Sequence, residues 1–413
     1  MQDLKEKISK SIQLSANLLI PGLILTLSVI CFYGVNKLPR VELIFLHYSF
    51  YVLAILAFAV CCFFKYSRPA FFIVNLIFAY LLINYFKLSL GSEFSTSIQY
   101  KALCFFIPFN LFVFSFQAQK GIFNKHGLIK FIFILTQFTL IDFYVNRIGS
   151  FYPKETVDLY LSNIDAFFSY KIFGNYLFQT IPNLALFVFI ITIANLIVRA
   201  AISGTTIDYS LLCVSITCFM ATAYSTNSTA LAIFYSASCL IIITSIIQHI
   251  RHIAYHDILT KAPTRLALFS DIKRLPNKYS VALADIDDFK KFNDNFGHDI
   301  GDKVLIMTSD ELAKVGGKGQ LYRYGGEEFV IIFPNLTKAE AFKHLEEVRE
   351  KIALSKFMID DGKSKKPKKH QITISIGVAE KKRSDASINP VIKRADKAMY
   401  KAKENGKNLT LKG

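Results

Sequence analysis

The chain changes character near residue 250. Before that point apolar residues run almost unbroken through stretches of spanning length at roughly 13–33, 42–64, 69–87, 102–118, 128–146, 181–198, 207–224 and 229–248. About eight membrane-spanning helices are expected, with both ends of the set on one side. Beyond residue 250 the runs shorten and alternate. "YSVALADIDDFKKFND" begins as an apolar strand, Val281 to Ala284, and ends in acids. "QLYRYGGEEFVIIF" has the pattern of a β-hairpin, with Tyr322 and Tyr324 alternating in one arm, Phe329 to Phe333 in the other and Gly325-Gly326 between them. "RADKAMYKAKENGKN" reads as a helix with Lys403 and Lys407 four apart on one face.

Composition sharpens the division. Of 413 residues 53% are hydrophobic and 39 are Phe, too apolar for an ordinary soluble chain. Residues 1–250 hold 16 Lys/Arg and 9 Asp/Glu, whereas 251–413 hold 32 and 22, a density normal for a soluble domain. Both halves are net basic, which suits an anionic lipid surface or an anionic small substrate and does not select nucleic acid. The segments around Lys5, Lys7 and Lys10, Lys65 and Arg68, Lys120 and Lys125, Arg199, and Arg251 would then face the cytoplasm. The first apolar run lacks a small-residue cleavage site, so it is expected to remain as a span. All seven cysteines lie in apolar runs of the first half, which excludes a thiol mechanism or a Cys-ligated zinc in the second.

Several segments stay open at this level. The connection 147–180 interleaves aromatic and polar residues and reads either as an interfacial loop or as a ligand-sensing cap. Asp142 reads either as a functional intramembrane acid or as a residue paired near Arg147 at the interface. "IIQHIRHIAYHDILT" carries the last apolar run into the second half without Pro, Gly or Ser-rich linker. Ile247, Ile250 and Ile253 recur at three-residue spacing there, as a transmitting helix or a passive spacer would allow. The run Lys363 to Lys369 reads as a solvated hairpin tip or as a patch facing anionic lipid. No transporter-like repeat is visible in the apolar half.

The chemistry gathers in the second half. If the hairpin tip pairs beside the strand ending at Asp285, then Asp285, the Ile286 carbonyl, Glu327 and Glu328 converge as hard oxygen ligands. Clustered carboxylates repel one another, so Mg²⁺ or Mn²⁺ carrying nucleotide phosphates is the expected partner. An acid-decorated solvent turn is the plainer reading, and it would not need the two acidic clusters to meet. Asn293 and Asp302 lie nine apart in "NDNFGHDIGDKVL", and Lys403 and Lys407 could serve a triphosphate or simply be solvated.

These pieces together resemble the GGDEF family of diguanylate cyclases over residues 257–413. The matching segments are "HDILTKAPTRLAL", "DIDDFKKFNDNFGHDIGD", "RYGGEEF", "ITISIGVA" and "RADKAMYKAKENGKN", in family order. The resemblance implies an α/β nucleotidyl-cyclase-like (ferredoxin-like) fold with an antiparallel-rich sheet, behind an α-helical membrane bundle. It implies condensation of two GTP into cyclic di-GMP and two pyrophosphate. Asp285, the Ile286 carbonyl and Glu327 would hold the metal. Glu328 would assist it or take the proton of the attacking 3′-hydroxyl. Asn293 and Asp302 would read guanine, and Lys290, Arg323, Lys403 and Lys407 would neutralise phosphate. Each such domain binds one GTP, so the resemblance implies a homodimer.

The implied organisation is a sensory membrane region over 1–248, a connecting helix over 249–256 and the catalytic domain over 257–413, in a bacterial inner membrane with the catalytic domain in the cytoplasm. No nucleic-acid partner is expected. The family's usual "LTGLPNR" is "LTKAPTR" here, its usual arginine in the final "GRN" is Lys407, and the "RxxD" product-binding motif before the hairpin is missing from "AKVGGKGQLY". The alternatives are a catalytically silent GGDEF domain acting as a GTP or partner receptor, which erosion of the signature acids would mark, and a transporter with a regulatory domain.

Overall fold

The structure, a computed structural model, describes residues 2–35, 40–147, 150–172, 180–355, 357–359 and 368–413. It divides into two compact units, Met1–His249 and Ile250–Gly413. The described part of the first is helical: α1 (Gln2–Gly34), α2 (Arg40–Phe63), α3 (Ser67–Leu90), α4 (Ile98–Ser115), α5 (Lys125–Asp142), α6 (Lys154–Phe168), α7 (Asn183–Ser203), α8 (Thr206–Ala223) and α9 (Ser228–Tyr255). Helices stand at all eight apolar runs, and α6 lies within the long 147–180 connection. Seven of the described helices are long and apolar enough to cross a membrane. The helix α5, whose 18 residues include Lys125, Lys130 and Asp142, is not among the seven.

Two groups of buried polar side chains inside this unit are tied into networks, as desolvation favours. Arg68 and Arg199, loop charges by sequence, both turn onto Asp208 Oδ1 at 2.8 Å, while the Ser203 and Thr205 hydroxyls donate to its Oδ2 at 2.6 Å. That knot joins the start of α3, the end of α7 and the start of α8. A second, uncharged network links α3, α4 and α5 through Asn75, Asn110 and Gln137. Residues 363–367 of the lysine run, and the side chains of Asp142, Lys368 and Lys369, lie outside the described residues.

The second unit is a mixed sheet between helices. Its strands are β1 (Tyr279–Ile286), β2 (Gln320–Gly325), β3 (Glu328–Pro334), β4 (Phe357–Ile359), β5 (Lys368–His370), β6 (Ile374–Glu380) and β7 (Thr410–Lys412). Its helices are α10 (Arg265–Asp271), α11 (Phe289–Phe296), α12 (His298–Leu312), α13 (Lys338–Leu354) and α14 (Asn389–Glu404). The main sheet runs β2-β3-β1-β6-β7, with β4-β5 a separate pair. Central β1 is antiparallel to both β3 and β6, and among the described strand pairs β6–β7 alone is parallel.

Period-two alternation divides the core. Ala282, Ala284 and Ile286 of β1 join Phe329, Ile331 and Phe333 of β3 under α12 and α13. Val281 and Leu283 join Val330 and Ile332 on the other face, under α10 and α14. The helix α14 lies against β6 so closely that a Cβ at Gly377 would overlap the backbone at Ala395 and Met399. Glycine at this strand position lets α14 reach the sheet.

Candidate active site

Parity along the strands assembles the acids. Asp285 follows Val281 and Leu283 onto the α14 face, and Glu328 precedes Val330 and Ile332 on the same face. The antiparallel register sets the two directly opposite each other. Glu327 stands in the tight turn between β2 and β3, where Gly326 has φ 35° and open space around the place a Cβ would take. Ile286 closes β1 with its side chain buried on the opposite face. The turn is thus open beside a pair of acids at the strand ends.

The electrostatics of this corner are unfavourable to the bare protein. Asp285 is only 5% exposed, and Lys403 Nζ comes from α14 to 2.7 Å of its Oδ1, an ion pair without hydrogen-bond geometry. Burial still raises the Asp285 pKa from its ordinary value, against the pull of Lys403. Burial first, and then the charge of Asp285, push Glu327 and Glu328 up as well. Among the described residues no three acids, histidines or cysteines form a ready metal cage. Mg²⁺ needs fewer protein ligands than that, since it takes one or two carboxylates and completes its shell with water and phosphate oxygens. A buried carboxylate oxygen lacking a hydrogen bond, beside two glutamates whose ionisation is opposed, fits such an ion.

The other expected residues divide. Lys403 stands in the acidic corner. Lys407 Nζ bonds Asp288 Oδ2 at 2.5 Å, and this contact holds the lysine's pKa up and the acid's down. Lys290 on α11 and Asp302 on α12 are exposed. Asn293 tucks its Oδ1 against Gly301, where a Cβ would overlap it, and that oxygen has no hydrogen bond. Arg323 does not project freely: its Nη1 bonds Asp257 Oδ1 at 2.6 Å, and its Nε and Nη2 bond the Gly326 carbonyl at 3.1 and 2.7 Å. It therefore braces the turn, whatever it does toward phosphate.

Two supporting acids were not singled out by the sequence reading. Asp257 anchors Arg323 and also accepts from Thr260 N and Oγ1, both at 2.8 Å. Although burial opposes it, these donors lower the Asp257 pKa overall. Asp287 accepts from Thr373 Oγ1 and Ser375 Oγ at 2.7 Å and from Asn408 N at 3.0 Å, tying the end of β1 to β6 and to the tail. The alternation of "DIDD" was the available signal: Asp287 follows Asp285 by two, and Ser375 lies across from Asp285 in the ladder.

Comparison with known proteins bears on the same segment. Residues 254–409 match the family model described as diguanylate cyclase, GGDEF domain. This segment is a GGDEF domain. The GGDEF domain is 41% identical over 133 residues to response regulator PleD of Caulobacter vibrioides, covering 32% of this chain and 28% of that protein. A match of 32% over 177 residues to probable diguanylate cyclase DgcF of Escherichia coli covers 41% and 54%. The chain thus spans between about a quarter and about half of these relatives' own length. Among solved structures, the coiled coil and GGDEF domain of DgcB from Caulobacter crescentus, in complex with c-di-GMP, is 30% identical. That match covers 40% of this chain and 90% of that one, with a TM-score of 0.38.

Proposed function

We propose that the chain is a membrane-bound diguanylate cyclase that condenses two GTP into cyclic di-GMP and two pyrophosphate. The observation that carries this reading is the pairing of Asp285 with Glu328 across β1 and β3, beside the open glycine turn and within reach of Lys403. In this reading Asp285, Glu327, Glu328 and the Ile286 carbonyl hold Mg²⁺ or Mn²⁺, which when bound offsets triphosphate charge at the α-phosphorus.

The chain's own groups do the rest. Asp302 accepts from the guanine N1–H and exocyclic amine, and the Asn293 amide donates to a base acceptor. Lys290, Lys403 and Lys407 offset the charge of the phosphate oxygens, and the Arg323 brace holds the turn that carries Glu327. Glu328, with its raised pKa, takes the proton of the 3′-hydroxyl as that oxygen bonds the α-phosphorus of the other GTP and pyrophosphate leaves. One domain supplies one base pocket and one turn, so two copies must face each other. The apolar spans of the first unit, counted as eight with α5, hold the enzyme at the membrane with the GGDEF domain in the cytoplasm. Exposed Ile247 and Ile253 on α9 are the residues a partner copy's helix would cover.

Replacing Glu328 with Gln tests the reading. The variant should lose cyclic di-GMP synthesis by at least a hundredfold, the usual weight of a positioned acid–base group. It should stay folded, with β1 amides exchanging no faster than in the parent. Synthesis near the parent rate would remove Glu328 from the reaction, and binding of GTP by the parent without product would favour the silent receptor.

A further inference from the structure

Glu328 lies between two cations. On its face of the sheet α14 packs over β1 and β6 while α10 packs beside β2, so β3 and its glutamate stand between the two helices. Lys403 comes from α14 and is taken up by Asp285 at 2.7 Å. Arg265 comes from α10, and its charge is felt at Glu328 as that of Lys403 is. The backbone before Arg265 fixes it beside the glycine turn. The Pro263 carbonyl accepts from Arg323 N at 2.7 Å, and Thr264 bridges to Arg323, whose guanidinium donates to the Gly326 carbonyl.

The guanidinium of Arg265 is held in place without being neutralised. Its Cζ lies 4.5 Å from the centre of the Tyr324 ring and 5.7 Å from that of Phe269, and both rings pack against the core on Glu328's face. A guanidinium stacked over aromatic faces keeps a fixed plane, and the N–H donors at its edge stay available. Among the described residues no carboxylate or carbonyl takes a hydrogen bond from Arg265, and the residue is exposed. By contrast Arg323, Lys403 and Lys407 each have an acidic partner. An oriented, unpaired fork beside an acid–base group whose substrate is a polyanion is suited to a bidentate hold on phosphate.

We propose that Arg265 binds the α-phosphate of the GTP carried by the facing copy and holds it for attack. This assignment rests on the cyclase reading. In that reaction the 3′-oxygen beside Glu328 bonds the incoming α-phosphorus, the bond from that phosphorus to pyrophosphate breaks, and the hydroxyl proton passes to Glu328. Lys403 and Asp285 occupy the α14 side of Glu328, so the α10 side is the one left for the incoming phosphate. Arg265 forms no covalent bond there; it offsets charge on the non-bridging oxygens as pyrophosphate leaves.

Arg265→Met keeps an apolar chain over the rings and removes the fork. In the full chain, in detergent with Mg²⁺, kcat for cyclic di-GMP should fall about a hundredfold or more, the weight of one donor to developing charge. The KM for GTP should stay within about threefold of the parent, because the contact is made to the facing copy's nucleotide. GTP with sulfur in place of either non-bridging α-oxygen separates contact from scaffold. With the diastereomer whose sulfur stands where Arg265 binds, the Met substitution should cost at least about tenfold less than with GTP, since sulfur already weakens that hydrogen bond. A scaffold role would cost the same with all three nucleotides. Equal costs, a kcat within about threefold of the parent, or a loss carried by KM would overturn the proposal. A parent that makes no cyclic di-GMP would refute the cyclase reading itself, and this assignment with it.

Discussion

At the scale of single residues the acidic corner is held in tension. Asp285, Glu327 and Glu328 all have raised pKa values, and the first cause in each case is burial. An acid whose pKa rises on folding binds its proton more tightly in the folded chain than in the unfolded one. It therefore costs stability at neutral pH, and costs less as pH falls toward the raised value. Lys403 lowers all three, so its removal must raise them further. Lys403→Met should shift the acid limb of the activity profile to higher pH, besides slowing turnover, because metal binding needs ionised carboxylates. A limb that stays in place or moves to lower pH would show that Lys403 does not govern this corner.

The pairing of Asp285 with Glu328 was legible in the chain, because an apolar strand ending in acids and a glycine hairpin flanked by acids have one obvious way to meet. The partner of Arg323 was not. Asp257 lies 66 positions earlier, and no local pattern announces an ion pair that tertiary packing alone creates. For the same reason Arg323 and Lys407 looked like free cations in the sequence, whereas the fold gives each an acidic partner.

At the scale of elements, the sheet and its two helical faces follow from alternation that could be read residue by residue in β1 and β3. Less visible was how near α14 comes. Gly377 sits mid-strand in "ITISIGVA", where glycine weakens a strand, and only the overlap that a Cβ would make with Ala395 and Met399 explains it. Gly377→Ala should destabilise the GGDEF domain by about 1–3 kcal/mol, the range for overpacking a tight core. Since α14 carries Lys403, activity should fall by more than the unfolded fraction explains. Chemical denaturation with activity measured on the same samples checks both, and unchanged stability would show that α14 can move off the sheet without cost. In the helical unit the eight apolar runs each become a helix. The inward turn of Arg68 and Arg199 onto Asp208 was hidden because a charge at a helix end reads the same whether it faces water or a buried acid.

At the scale of the whole molecule, regulation and assembly are the open ground for experiment. The stretch that would hold an "RxxD" product site is occupied by Gly316 and Gly317, which lie so close to the His344 ring that a Cβ at either would crowd it. Added cyclic di-GMP should therefore leave progress curves nearly unchanged. Potent, non-competitive inhibition would reveal a product site elsewhere. If two GGDEF domains must face each other, specific activity should rise with protein concentration at high dilution and level off when pairing is complete.

The identity of the product tests the proposed cyclase activity most directly. The detergent-solubilised full chain is incubated with GTP and Mg²⁺, and the reaction is resolved by mass. The proposed function predicts cyclic di-GMP with two pyrophosphate for each molecule formed, and none from the Glu328→Gln variant. GTP recovered intact, or converted to anything other than cyclic di-GMP, would contradict it.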